Sequence, residues 1–456
     1  MTLDPIRRIS PEDAGARPPD LHPSYKSTVK RAPSLPAIIV PQTITETSGA
    51  ALDWMAIVGE TVDDLTAQHQ GEPIGQRIIV SGRVLDDLGR PVSGALVEIW
   101  QANAAGRYIH KGDDWNAPID PNFTGMGRVV TDADGGYSFV TIRPGAYPWP
   151  NHENAWRPAH IHFSVFGDAI ATRLITQMYF PDDPLLALDP IAAAVPEAAV
   201  KRMVATFDLE TTRPAWALGY RFDIVLRSVD KNIDRSQASV PPPPTALGQT
   251  PAQTIGPFFH YCLPASGAAD LVGNDAIGAR PDLIPEGHNF LASPLGPASE
   301  LAAAAAHYII NIAGHIYDAD GVPLPDAMLE IWQADEDGNY PDTWAPGHNR
   351  PFTAFGRCAT DAEGAFRFRT VRPGATQFAD GDLQAPHVQL SLSARGLINI
   401  QTTRVYFLGD PHNDIDPVLM RVPQERRHTL VANPKDDVWV FDIHLQGADE
   451  TVFFKC

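Results

Sequence analysis

His160-Ile161-His162 is the segment of this chain with the plainest chemical potential. On a β-strand, residues i and i+2 face the same side, so both imidazoles can reach one metal ion. Two phenols, Tyr108 and Tyr147, are the other candidates. If all four side chains converge, the metal is restricted. A phenol has a pKa of about 10, so holding two tyrosinates at neutral pH takes a highly charged cation. Hard anionic oxygens with imidazoles suit iron(III) better than zinc, and better than ferrous iron held by two His and a carboxylate. The plainer alternative is two satisfied histidines and two tyrosines packed in turns.

The chain supplies its own control. Gly82, Gly89, Ala95 and Trp100 recur 232 positions later as Gly314, Gly321, Ala327 and Trp332. GRVVTDADGGYSF from Gly127 is echoed by GRCATDAEGAFRF from Gly356, Tyr179-Phe180 by Tyr406-Phe407, and Phe222-Asp223-Ile224 by Phe441-Asp442-Ile443. Such self-similarity marks one domain type present twice. At the aligned positions His162 becomes Gln389 and Tyr147 becomes Thr376, whereas Tyr108 is kept as Tyr340. The framework persists in both copies and the chemical cluster is intact only in the first, so one copy is expected to hold a site and the other to be structural.

Within each copy, short runs rich in Val, Ile and aromatics are separated by turn signals such as DDLG, DADG and RPG. Alternation is clear in Leu96-Val97-Glu98-Ile99-Trp100, and helical periodicity is confined to Val62–His69 and Ala193–Thr206. The expected fold is all-β, with two homologous antiparallel β-sandwich domains carrying short helices and long loops. The polar segment Ser228–Gln253, with its Pro241–Pro244 run, reads as a stiff Pro-rich linker. The domains are therefore expected at residues 1–227, catalytic, and 254–456, non-catalytic, with residues 228–253 as the linker.

The 35 Lys and Arg against 55 Asp and Glu give a formal net charge of −20, which repels phosphate backbones and anionic lipid. No nucleic-acid or membrane role is expected, and an anionic substrate would need a local basic pocket. Three cysteines, Cys262, Cys358 and Cys456, indicate neither a disulfide framework nor a thiolate metal site. The first residues, MTLDPIRRISPEDAG, lack the apolar run of a signal peptide, and the apolar stretch Leu301–Gly314 is too short to span a bilayer. A cytoplasmic location is the expectation.

LVEIWQANAAGRY, PNFTGMGR, PGAYPW, NAWRPAHIHF and LITQMYF in the first half, with QTIGPF, LEIWQAD, APHVQLSLSARG and ETVFF in the second, resemble the intradiol ring-cleavage dioxygenases over nearly the whole chain. Within that family the first half resembles an iron-bearing β subunit and the second a non-catalytic α subunit, here fused. The resemblance implies a substrate-activating iron(III) enzyme that cleaves protocatechuate (3,4-dihydroxybenzoate) with O2 to 3-carboxy-cis,cis-muconate, in aromatic degradation. It implies one iron per chain, with Tyr108, Tyr147, His160 and His162 as ligands and Tyr147 the one displaced by substrate. Arg157 would stabilise charge on the reacting substrate, with Gln177 behind it. Tyr25, Trp100, Trp149 and Ile191 would line the pocket, and Thr254, Gly256, Pro257 and Arg395 would complete it from the other half.

Two departures from the family pattern touch substrate preference. Phe258 stands where a tyrosine usually follows Gly-Pro, and Pro150 where a basic residue usually follows the tryptophan. A homo-oligomer is expected, with a catechol and O2 as small-molecule partners. The competing readings are a catechol or hydroxyquinol 1,2-dioxygenase, a zinc or copper hydrolase using the His pair, and a non-catalytic β-sandwich binding module.

Overall fold

The computed structural model describes residues 6–49, 60–233, 246–264, 266–273, 275–286, 308–343, 352–378 and 381–456. The Pro241–Pro244 run and residues 301–307 of the apolar stretch lie outside them. The described chain is all-β, and its α-helices are no longer than five residues.

Two compact units are present, and each borrows from the other half of the sequence. The first comprises Met1–Lys26, Glu60–Leu263 and Pro281–Asn289; the second comprises Ser27–Gly59, Pro264–Arg280 and Phe290–Cys456. This division departs from the 1–227 and 254–456 halves by exchanging two arms. Hydrogen bonds explain both exchanges. Gln253 N–H donates to Ile175 O and Tyr261 Oη to Gln101 O, which ties the stretch after the linker into the first unit. Ile38–Ile39 runs parallel to Phe454–Lys455 as an added strand, which ties the early arm into the second.

The first unit is a sandwich. One sheet has the strand order Leu174–Tyr179, His160–Phe166, Leu96–Trp100, Met126–Val130, all antiparallel. The other has the order Thr206–Arg213, Ala217–Arg221, Arg77–Asp86, Ile224–Leu226, with Gly136–Ile142 also paired to Arg77–Asp86. Alternation sends Ile161, Phe163 and Val165 into the core with Val97, Ile99, Val80, Val84 and Phe139. Each such side chain contributes about 1.5–3 kcal/mol on burial. The same alternation sends His160 and His162 to the opposite face, where they are also buried.

The second of these sheets is mixed where the sequence pattern suggested antiparallel pairing throughout. Ala217–Arg221 and Ile224–Leu226 both run parallel to Arg77–Asp86, one after the other along the same strand. The chain shifts between them at Phe222, whose carbonyl approaches Gly82 so closely that a Cβ there would sit 1.9 Å from its oxygen. Gly314 repeats the device against Phe441 O in the second unit, which is why both glycines belong to the repeat. Gly82→Ala should therefore cost about 2–4 kcal/mol in a denaturant titration. At Gly89 a Cβ would meet nothing closer than 4.0 Å, so only its positive φ of 82° makes Gly89→Ala costly, at about 1–2 kcal/mol.

Val62–His69 is not the helix that its periodicity suggests. Val62 bridges Arg128 and Asp64 bridges Val140, so these backbone groups pair with strands instead of with one another. Leu65, fully buried beneath them, accounts for the apolar spacing. Ala193–Thr206 is broken into single turns at Ala192–Ala194, Glu197–Val200 and Lys201–Met203, because Pro196 has no N–H to continue a helix.

Candidate active site

Strand register builds the site on the outer face of one sheet of the first unit. Trp100, His162 and Gln177 are opposed across three adjacent strands, with His160 and Tyr179 opposed in the next row. Trp100, fully buried, stacks on His162 with ring centroids 4.7 Å apart and planes at 11°. The two imidazoles lie 4.9 Å apart at 71°. His160 Nδ1 lies 2.7 Å from Pro158 O, so it donates there and leaves the Nε2 lone pair free to accept.

Tyr108 and Tyr147 approach that same nitrogen. Tyr147 Oη is 3.2 Å and Tyr108 Oη 3.5 Å from His160 Nε2, and their rings meet edge to face at 5.6 Å. Tyr108 sits in the loop after Leu96–Trp100, where its N–H donates to Asp113. Tyr147 sits on a two-residue strand paired with Trp156–Arg157, in register with Arg157. Burial pushes both phenols up, with the Arg157 charge opposing it at Tyr147. Burial, reinforced by the Arg157 charge, holds both imidazoles well below their ordinary pKa. The protein alone thus presents four neutral donors, three of them buried and Tyr147 half-buried.

Arg157 is buried behind them. One of its terminal nitrogens donates to Gln177 Oε1 at 2.6 Å, Asp189 Oδ2 at 3.0 Å and Tyr179 Oη at 3.2 Å. Burial would lower its pKa, but Asp189 and the two tyrosines raise it well above the ordinary value. Gln177 Nε2 donates to Thr254 O. Gly256, at φ 74°, backs onto His162, where a Cβ would touch Cε1 at 3.5 Å. Tyr25 packs on Trp149 at 5.6 Å, Trp149 lies under Arg157 at 5.8 Å, and buried Ile191 donates its N–H to Asp189. Pro257 follows Gly256 in the same unit, whereas Arg395 belongs to the second unit and ion-pairs there with Asp326.

Two residues here, Asp189 and Tyr179, are not marked as site residues by the sequence, whereas Phe258 is marked there only by its departure from the family pattern. Asp189 and Tyr179 fasten Arg157, and Phe258 packs on Tyr108 at 5.2 Å. Asp189 had a signal: it recurs as Asp416, at the same spacing of 227 that separates Tyr179 from Tyr406.

The second unit shows what becomes of the same framework without the cluster. The turn Ile44–Thr47, closed by a Thr43/Glu46 capping box, fills the equivalent place. Tyr340 Oη donates to Thr45 Oγ1 at 2.9 Å, and Thr45 Oγ1 lies 2.9 Å from His387 Nε2. A hydroxyl bridges the counterparts of Tyr108 and His160. Thr376, in place of Tyr147, accepts from Gln384 Nε2. The Arg–Gln pair is exchanged between strands: Gln384 stands for Arg157 and Arg404 for Gln177, bonded at 2.8 Å. Arg404 also donates to Glu46 at 2.5 Å.

Among the described residues no group of three or more His, Cys, Asp and Glu gathers as a metal site, so a metal at the first-unit cluster would take its oxygen donors from the tyrosines. A family model described as dioxygenase matches residues 53–228 and 304–447, and one for the N-terminal part of the protocatechuate 3,4-dioxygenase beta subunit matches residues 11–43. The protocatechuate 3,4-dioxygenase beta chain of Burkholderia cepacia is 55% identical over 230 residues, half of this chain and 97% of that one. The chain belongs to the protocatechuate 3,4-dioxygenase family. The alpha chain of this family from the same organism is 36% identical over 219 residues, 46% of this chain and 98% of that one. Both subunit types of the protocatechuate 3,4-dioxygenase family are therefore represented in one polypeptide, an intradiol dioxygenase. A hydroxyquinol 1,2-dioxygenase from Rhizobium is 36% identical over 128 residues, but these cover only 42% of its length and 26% of this chain.

Proposed function

We propose that the first unit cleaves protocatechuate with O2 between its two hydroxyls to 3-carboxy-cis,cis-muconate, using one non-haem iron(III) per chain held by Tyr108, Tyr147, His160 and His162. The observation that carries this reading is the approach of both tyrosine hydroxyls to His160 Nε2, with His162 4.9 Å away. The donor set fits the ion. Two phenols that burial keeps neutral become strong ligands only beside a high positive charge, and two imidazoles held neutral need lose no proton to bind it.

When bound, iron(III) supplies Lewis acidity that makes a chelated catecholate reactive toward O2. The protein's own groups do the rest. Tyr147 is only half-buried and rests on a two-residue strand, so it is the ligand able to swing aside and take a proton from a substrate hydroxyl. Arg157 is a fixed buried cation beside the reacting ring and favours negative charge that develops there. Trp100 holds His162 flat and, with Tyr25 and Trp149, keeps water from the pocket. No helix among the described residues is long and apolar enough to cross a membrane, and a cytoplasmic homo-oligomer is the accompanying expectation.

Oxygen uptake by iron-loaded protein given protocatechuate, catechol and hydroxyquinol side by side tests the assignment. The expected result is one iron per chain, a red protein from tyrosinate-to-iron(III) absorption, and the highest kcat/KM with protocatechuate. Faster turnover of either other ring would reassign the substrate, and a colourless iron-free protein that still opens the ring would sink the whole reading.

A further inference from the structure

Arg157 does not hold itself in place, and the two copies of the fold show what does. We propose that Asp189 is the positioning residue for Arg157, with Tyr179 as its bridge, so that the guanidinium meets the substrate in a single orientation. This rests on the reading that Arg157 acts in ring cleavage.

Asp189 is fully buried and its carboxylate is divided between two tasks. Oδ1 accepts from Ile191 N–H at 3.2 Å, which fixes the turn after Leu186–Leu188. Oδ2 accepts from Arg157 at 3.0 Å and lies 3.3 Å from Tyr179 Oη. Tyr179 Oη accepts from the same guanidinium nitrogen at 3.2 Å, and its one hydrogen is shared among Asp189 Oδ2, Gln177 Oε1 at 3.1 Å and Gln253 Oε1 at 3.2 Å. One terminal nitrogen of Arg157 is thus saturated by three oxygens, while its buried Nε has no hydrogen-bond partner. A planar guanidinium clamped at one corner has its remaining donors aimed by the clamp.

The second copy separates this role from a purely structural one. Asp416 keeps the framework duties: it accepts from Val418 N–H, Leu419 N–H and Tyr406 Oη, and its other oxygen accepts from Ala385 N–H. The arginine there has moved to the opposite strand as Arg404, and its carboxylate partner is Glu46. The aspartate is therefore part of the fold in both copies, and its direct grip on an arginine is found in the first.

The test is a double-mutant cycle with a matched control. Asp189→Asn should lower kcat about 10- to 100-fold with KM and iron content little changed, the size expected for a reacting group displaced by a fraction of an ångström. In an Arg157→Leu background the same substitution should cost no further kcat, because the group it positions is gone. Asp416→Asn, which removes the corresponding framework carboxylate, should lower the melting temperature and leave kcat unchanged. Tyr179→Phe, which preserves volume, should lower kcat severalfold and covers the case in which Asp189→Asn folds poorly. In metal-free protein the Arg157 Nε–H proton, read by NMR, should exchange about tenfold faster in Asp189→Asn. Undiminished kcat in both Asp189→Asn and Tyr179→Phe would overturn the proposal, as would an equal loss in the Arg157→Leu background or in Asp416→Asn. If Arg157→Leu itself turns over normally, the underlying reading of Arg157 fails instead.

Discussion

A His162→Gln chain should purify with less than about one-tenth of the normal iron and a kcat at least ~1,000-fold lower. The substitution installs at position 162 the residue that the second copy carries at 389. It removes an imidazole nitrogen and with it the flat stack on Trp100, which is worth about 1 kcal/mol. The hydrophobic side of the strand, Ile161, Phe163 and Val165, is untouched, so the metal-free protein should keep its fold with a loss of about 1–2 kcal/mol. Metal analysis beside thermal denaturation of the metal-free form separates the two effects. Full iron content in this variant would remove His162 from the ligand set.

Arg157→Leu should do the reverse: iron and colour remain, and kcat falls about 100- to 1,000-fold, the loss typical of removing one preorganised group from a developing charge. It also carries a stability cost. Asp189 would be left fully buried without its cation, and breaking one side of a buried pair costs about 3–5 kcal/mol. Adding Asp189→Asn should restore part of that loss, since the uncompensated charge disappears. The rate should be measured per folded, iron-bearing chain, and an unchanged kcat would exclude Arg157 from the chemistry.

Much of this is legible in the residues themselves. The His160-Ile161-His162 alternation implies two imidazoles on one face, and the repeat, with Gln389 and Thr376 in the second copy, implies that one copy holds a site and the other is structural. What could not be read depended on pairing between distant segments. Val62–His69 has the apolar spacing of a helix, with Leu65 fully buried, yet its backbone is claimed by Arg128 and Val140. Local periodicity reports which side chains are buried, and a bridge across two strands can bury the same set. The exchanged arms were invisible for a related reason. Thr254, Gly256 and their neighbours follow the proline run, and only hydrogen bonds such as Gln177 to Thr254 show which sandwich they join. The Asp189 clamp was hidden because its partners lie 10 and 32 residues away, and nothing local marks a carboxylate as a tether.

The turn at Ile44–Thr47 has a consequence for the order in which the chain can mature. Thr45 meets His387, 342 residues later, Ser48 meets Trp332, 284 residues later, and Ile38 pairs with Phe454. At ribosomal speeds of about 5–20 residues per second, this arm waits roughly 20 to 80 s for its acceptor strands to emerge. Throughout that interval Ile38, Ile39 and Val40 form an unsatisfied apolar strand on a nascent chain, an open invitation to other nascent chains and to chaperones. Joining two subunits end to end fixes their ratio at one to one, but an arm made before its acceptor strands is then among the last segments to find its place.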